Sequence, residues 1–172
     1  MLFEKVLKQR RSVRDYLNKS IEKSKIRKIL KLINMAPSAG NLQAFKVFVV
    51  LNNNKIQQMC RGSSGINRNF KNYPPCIFVF CADPNKSSYY KERGKKLYCI
   101  QDATIACSYT QLIATSLGLS SCWVGSFDEA AIQKIVGIKK LFPVALLTLG
   151  YSNEKPLYRA RKRIELISRL LE

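Results

Sequence analysis

Histidine is missing from all 172 residues of this chain, and its absence removes much ordinary enzyme chemistry. No triad built around an imidazole can form, and the usual proton shuttle near neutral pH is gone. The six cysteines include no C-x-x-C pair, and without histidine to complete a ligand set this argues against zinc. Cys76 and Cys81 flank an apolar strand, Cys99 and Cys107 fall in a helical pattern, and Cys122 precedes Trp123. Buried structural thiols are therefore expected rather than a disulfide frame, and reduced thiols point to the cytoplasm. No apolar run approaches the ~20 residues of a membrane span. Met1-Leu2-Phe3-Glu4-Lys5 mixes apolar and charged residues, unlike the unbroken apolar stretch of a signal peptide. Chemistry here must come from a cofactor or from another group.

Acidic residues are also scarce. Eleven Asp and Glu face thirty Lys and Arg, for a net charge of +19. Such a field attracts polyanions, nucleic acid among them. The basic residues are scattered from end to end, however, and many sit on polar helix faces, as Lys23, Lys25, Lys28 and Lys31 do. That distribution favours solvated helix surfaces over a nucleic-acid groove, and it suits phosphate-bearing small molecules. At this length, with 47% hydrophobic residues, one domain spanning 1–172 is expected, with a tail from about residue 151.

Periodicity places the elements. Leu2, Phe3, Val6 and Leu7 recur at helical spacing, and that helix should end near Gln9 or Arg10. Ser20 or Ser24 can cap a second helix, whose stripe is Ile26, Ile29, Leu30 and Ile33 and which Pro37 stops. Phe45–Val50 and Cys76–Cys81 read as buried strands; Asn52–Asn54 reads as a turn or as the cap of a short helix through Met59 and Cys60. Gly62–Gly65 reads as a flexible loop, and the polar stretch 85–96 as a solvated excursion or a lid. Leu97–Leu117 is a helix apolar nearly all round, suited to the centre of the fold or to a subunit interface. A strand at Ser121–Val124, a helix from Phe127-Asp128 to Gly137 and a strand at Phe142–Gly150 complete the chain. Strands and helices alternate, so the class is α+β or α/β with a sandwiched sheet. Trp123 is expected in the core.

Two clusters stand out. Arg10, Arg11 and Arg14 offer three guanidinium groups, and Ser12 a hydroxyl, within five residues. Cations are favourable at a helix C-terminus in any case, but guanidinium forks also suit phosphate. The second cluster, Pro37-Ser38-Ala39-Gly40-Asn41-Leu42-Gln43, joins a helix to a strand through small residues, backbone N–H groups and two amides. It reads as a simple helix stop, or as a bend that lets backbone approach a ring edge.

Together these residues resemble the nitroreductase family of FMN-dependent oxidoreductases. That family pairs an N-terminal R-R/x-S-x-R cluster with a P-S-x-x-N-x-Q segment before the first core strand. Asp102-Ala103 opening a long helix, the stretch Leu117–Gly125, Phe127-Asp128 and the basic run Arg161-Lys162-Arg163 extend the resemblance over about residues 3 to 163. The resemblance implies a central, mostly antiparallel sheet flanked by helices. It implies a homodimer with FMN at the interface, NADH or NADPH as hydride donor, and a small electron acceptor such as a nitroaromatic or quinone. It assigns Arg10, Arg11 and Ser12, helped by Arg161 and Arg163, to the phosphate. It places Arg14 beside the pyrimidine edge, and Pro37, Ser38, Ala39, Gly40, Asn41 and Gln43 along the ring. Val124 and Gly125 would present backbone near N5. Gln43-Ala44-Phe45 stands where family members often carry Q-P-W, which changes the approach to the strand and the pocket's shape. The short chain implies an open pocket, covered by residues 62–73 or 85–96. The alternatives are a reductive dehalogenase or flavin-processing relative of the same fold, a flavin carrier without turnover, and a basic nucleic-acid-binding protein.

Overall fold

A computed structural model describes residues 2–171. Four strands form one sheet: β1 (Phe45–Val50), β2 (Cys76–Ala82), β3 (Ser120–Val124) and β4 (Phe142–Gly150). Their order is β1-β2-β4-β3, and all three ladders are antiparallel. Every residue of β2 is buried, which explains its unbroken apolar sequence in a central strand covered on both sides.

Side-chain alternation along β2 divides the core in two. Ile77, Val79 and Cys81 point to one layer, made by α3 (Asn53–Arg61), α4 (Ser64–Asn67) and α7 (Glu129–Val136) through Ile56, Met59, Ile66 and Ile132. Cys76, Phe78 and Phe80 point to the other, made by α2 (Lys23–Ile33) and α6 (Cys99–Ser116) through Ile26, Ile29, Ile33, Ala106 and Ala114. The result is the expected α+β sandwich. α6 lies against the sheet through small side chains, Ala103, Ala106, Cys107 and Ala114, while Ile100 and Tyr109 on its other side are exposed. Trp123 packs against the α2–α6 side of the core, as its sequence context indicated.

Local signals account for most boundaries. The Asn52 side chain accepts from the Lys55 N–H at 3.1 Å, and Asp128 caps α7 through the Ala131 N–H at 3.0 Å. Gly137 closes α7 in the left-handed region at φ 75°. Three expectations are corrected. Neither Ser20 nor Ser24 caps α2; Glu22 occupies that position without a side-chain bond, and Ser24 lies inside the first turn. Gly62–Gly65 is not a free loop, because the Ser63 hydroxyl caps α4 through the Ile66 N–H. The helix expected from Leu97 is preceded by a short helix α5 (Lys91–Arg93) and a π-type turn (Gly94–Tyr98), so 85–96 is largely folded.

All six cysteines are unpaired and buried. Burial pushes the thiols of Cys60, Cys76 and Cys81 from an ordinary value near 9 up to about 12. The unfolded chain therefore releases these protons first. Stability from the thiols is intact below pH 9 and falls between about 9 and 12, by roughly 1.4 kcal/mol per thiol for each pH unit. The urea midpoint should drop between pH 8 and pH 10.5, and a disulfide reagent at pH 8 should label the cysteines only after unfolding. Fast labelling of the folded protein would contradict this packing.

Candidate functional site

Residues 10–16 leave α1 (Phe3–Gln9) as an extended strap along the β3 edge of the sheet. Ser12 makes an isolated parallel bridge with Ser121, and the Val13 N–H donates to the Ser121 carbonyl at 3.0 Å. On the other side the Lys71 N–H donates to the Arg14 carbonyl at 3.0 Å. Tyr16 anchors the strap: its hydroxyl pairs with Thr148 Oγ1 at 2.7 Å, and its ring stacks on Phe70 at 6.1 Å. Glu154, from the segment after β4, accepts the N–H groups of Arg14 at 2.7 Å and Asp15 at 2.8 Å through one oxygen. The strap is thereby held on both edges and from beneath.

This arrangement opens a cleft of about 790 Å³ lined by Arg10, Arg11, Ser12, Arg14, Arg159 and Arg161, with Lys8, Asn69 and Glu154 at its walls. Its arginines differ in what they do. Arg11 turns back, donating to the carbonyls of Lys8 at 2.6 Å and Arg10 at 2.9 Å, and lies over the Tyr158 ring at 5.4 Å. Its guanidinium satisfies the end of α1. Arg10 is half-buried and faces its own kind: burial lowers its pKa, with repulsion from Arg161 and Arg11 adding to the effect. Among the described residues Arg10, Arg14 and Arg161 make no ion pair with a carboxylate. Like charges gathered in a partly desolvated cleft create a site that an anion would stabilise.

The second cluster lies elsewhere on the chain; none of Pro37–Gln43 lines the cleft. It forms a tight bend, with a 3-10 turn at Ala39–Asn41. Gly40, Asn41 and Gln43 all have positive φ, at 56°, 56° and 47°, a conformation that strains the two residues bearing side chains. Asp102 holds the bend. Its residue is 2% exposed; one oxygen accepts the Ala39 N–H at 2.9 Å and the other the Ala44 N–H at 3.2 Å. Ser38 Oγ adds a bond from the Gln43 N–H at 2.9 Å. Glycine suits position 40, where φ is positive and a Cβ would press on the Tyr90 hydroxyl until that ring shifted. The segment 85–98 thus packs onto this bend.

Val124 is buried, while Gly125 is exposed at the end of β3. A Cβ built on Gly125 would meet only Trp123 Nε1, at 3.8 Å, so the space above this backbone is open to a flat group. Arg163 is exposed and does not line the cleft; Arg159 does. Sequence reasoning missed Arg159, Asn69, Glu154 and the fastening role of Asp102. Only Asp102 had been singled out, as part of the family pattern.

An antiparallel sheet between helical layers, with an anion-seeking cleft at its edge, is the class of protein that fold and site define. More particularly, the chain belongs to the nitroreductase family, whose profile matches residues 7–65 and 61–151. A protein of Archaeoglobus fulgidus, provisionally named an NADH dehydrogenase/NAD(P)H nitroreductase, is 32% identical over 165 residues, covering 92% of this chain and 91% of its own length. An FMN reductase [NAD(P)H] of Bacillus subtilis is 25% identical over 175 residues, covering 91% of this chain and 68% of the relative. Among solved structures, an FMN-dependent nitroreductase of Clostridium difficile is 30% identical with a TM-score of 0.74, covering 94% and 93% of the two chains. A nitroreductase family protein of Streptococcus pneumoniae shares the fold at a TM-score of 0.88 and 20% identity, covering 98% and 99%.

Proposed function

We propose that this chain is an FMN-dependent NAD(P)H oxidoreductase that reduces small acceptors such as nitroaromatics and quinones. The observation that carries the reading is the cleft that gathers Arg10, Arg11, Arg14 and Arg161 around Ser12. The names of the Bacillus subtilis and Clostridium difficile relatives support FMN as the anion it takes. The donor set fits: guanidinium forks and a hydroxyl suit the phosphate, and open space over Gly125 suits a planar ring. When bound, FMN supplies hydride transfer between the nicotinamide donor and the acceptor, two reactants that use one pocket in turn.

The protein's part is to bind and to orient. Arg10, Ser12 and Arg161 would hold the phosphate, Arg14 would place a cation beside the pyrimidine edge, and the backbone at Val124–Gly125 would offer its groups to the ring. Arg11 contributes charge while its guanidinium secures α1, and Arg163 lies outside this first set. No side-chain general base is needed, which suits a chain without histidine.

Because Pro37, Ser38, Ala39, Gly40, Asn41 and Gln43 do not line the cleft of their own chain, a homodimer is the natural way to complete the site. In a C2 pair the bend of one subunit would close the cleft of the other. Exposed apolar residues support such a pair: Leu157 at 89% and Leu170 at 82% in the tail, with Leu2, Phe3 and Leu7 on and beside α1. Surfaces of this kind mark interfaces. No helix among the described residues is long and apolar enough to cross a membrane, and six unpaired thiols suit the cytoplasm.

The test is to purify the protein, look for bound flavin and add NADH or NADPH without oxygen. Bleaching of a yellow protein is the expected result; a colourless protein whose nucleic-acid binding weakens steeply with salt would replace this reading with the other. Arg14→Ala should retain flavin and slow its reduction about 10- to 100-fold, through loss of a cation beside the ring edge that becomes negative. An unchanged reduction rate in stopped flow would remove Arg14 from that role.

A further inference from the structure

A second cleft, of about 470 Å³, lies where the loop after β3 meets the junction of α3 and α4. Arg61, Ser64, Arg68, Ser126 and Phe127 line it. Both guanidinium groups are exposed, and neither pairs with a carboxylate among the described residues. The acid at its wall, Asp128, already accepts the Ala131 N–H at 3.0 Å. The walls are fastened to each other. The Ser126 carbonyl accepts from the Gly65 N–H at 3.1 Å and from Ser63 Oγ at 2.8 Å, and the Asp128 N–H donates to the Gly62 carbonyl at 2.9 Å. Ser64 and Ser126 join their hydroxyls across the gap.

Position gives this chemistry a meaning. Ser126 directly follows Gly125, so the cleft adjoins the backbone assigned to the ring's N5. The flavin phosphate is assigned to the other cleft, so Arg61 and Arg68 are free to hold a different anion in this one. Two forks beside hydroxyls match a monoester phosphate, and Phe127, half-buried against the core, leaves some apolar surface at the cleft for a purine. We propose that this cleft binds the adenosine 2′-phosphate of NADPH, which makes NADPH the preferred donor. The inference rests on the flavin reading for its direction, since the nicotinamide must reach the ring at Gly125.

The experiment titrates adenosine 2′,5′-bisphosphate and adenosine 5′-monophosphate into the purified protein by calorimetry. It uses the wild type, Arg61→Gln/Arg68→Gln and a charge control, Lys28→Gln/Lys31→Gln, on the solvent face of α2. The bisphosphate should bind the wild type and the control roughly 10- to 100-fold more tightly than the monophosphate, and the arginine variant should lose that margin. In turnover, the ratio of kcat/KM for NADPH over NADH should fall by a similar factor, with flavin retention and NADH turnover unchanged. Equal affinities in the wild type, an intact margin in the arginine variant, or equal losses for NADH and NADPH would overturn the proposal; the last would place the shared pyrophosphate there instead. A colourless protein that still discriminates the two adenosines through these arginines would sink the flavin reading and leave the cleft a phosphate site.

Discussion

Arg10→Ala should come out of purification without flavin. Charge-assisted bonds to phosphate contribute roughly 1.5–3 kcal/mol each, so losing one or two weakens FMN binding on the order of 10- to 10,000-fold. The empty protein should respond in the opposite sense. Arg10 carries a charge that burial and two neighbouring guanidiniums disfavour, as the fall in its pKa indicates. Alanine removes that repulsion, so the flavin-free variant should unfold at the same urea concentration as the flavin-free wild type, or at a higher one. Riboflavin separates the contributions further. It lacks the phosphate, so its affinity should be unaffected by Arg10→Ala. Equal losses for FMN and riboflavin, measured by flavin fluorescence quenching, would show that Arg10 supports the fold of the cleft rather than gripping an anion.

Arg11 marks what the sequence could not distinguish. In the chain Arg10 and Arg11 are neighbours of the same type, and a cation near a helix end is favourable whether or not it binds anything. Only the folded geometry shows that Arg11 closes α1 on the Lys8 carbonyl while Arg10 faces Arg161. The sheet itself was far more legible. β2 declares itself by seven consecutive apolar residues, and α7 by Asp128 before it and Gly137 after it, because local signals fix these elements. The strap was not legible as an edge partner of β3. Ser12 and Ser121 carry no pattern that pairs them, and Glu154 reaches the Arg14 N–H from 140 positions away. Contacts of that range depend on how the layers stack, which single-sequence periodicity does not encode. The resemblance to a family supplied the missing link for Arg161, but it did not distinguish Arg159, which lines the cleft, from Arg163, which does not.

The bend at 38–44 leads to the other large effect. Asp102→Ala would leave the Ala39 and Ala44 N–H groups without their acceptors, at about 1–3 kcal/mol each. The bend cannot relax freely around the gap, since Asn41 and Gln43 hold positive φ only while the surroundings enforce it. Its flanking strand β1 and Tyr90 over Gly40 would remain, so the loss is local before it is global. A fall of roughly 2–4 kcal/mol in urea stability is expected, with hydrogen exchange accelerating first at Ala39 and Ala44. Asp102→Asn keeps one acceptor and should fall between the wild type and alanine. The effect on ligand distinguishes this residue from Arg10. In the proposed dimer the bend would lie along the ring and serve FMN and riboflavin alike, so Asp102→Ala should weaken both by the same factor. If instead both flavins bound as in the wild type while exchange at Ala39 quickened, the carboxylate would fasten a bend that touches no ring, and the site would have to be closed by other residues.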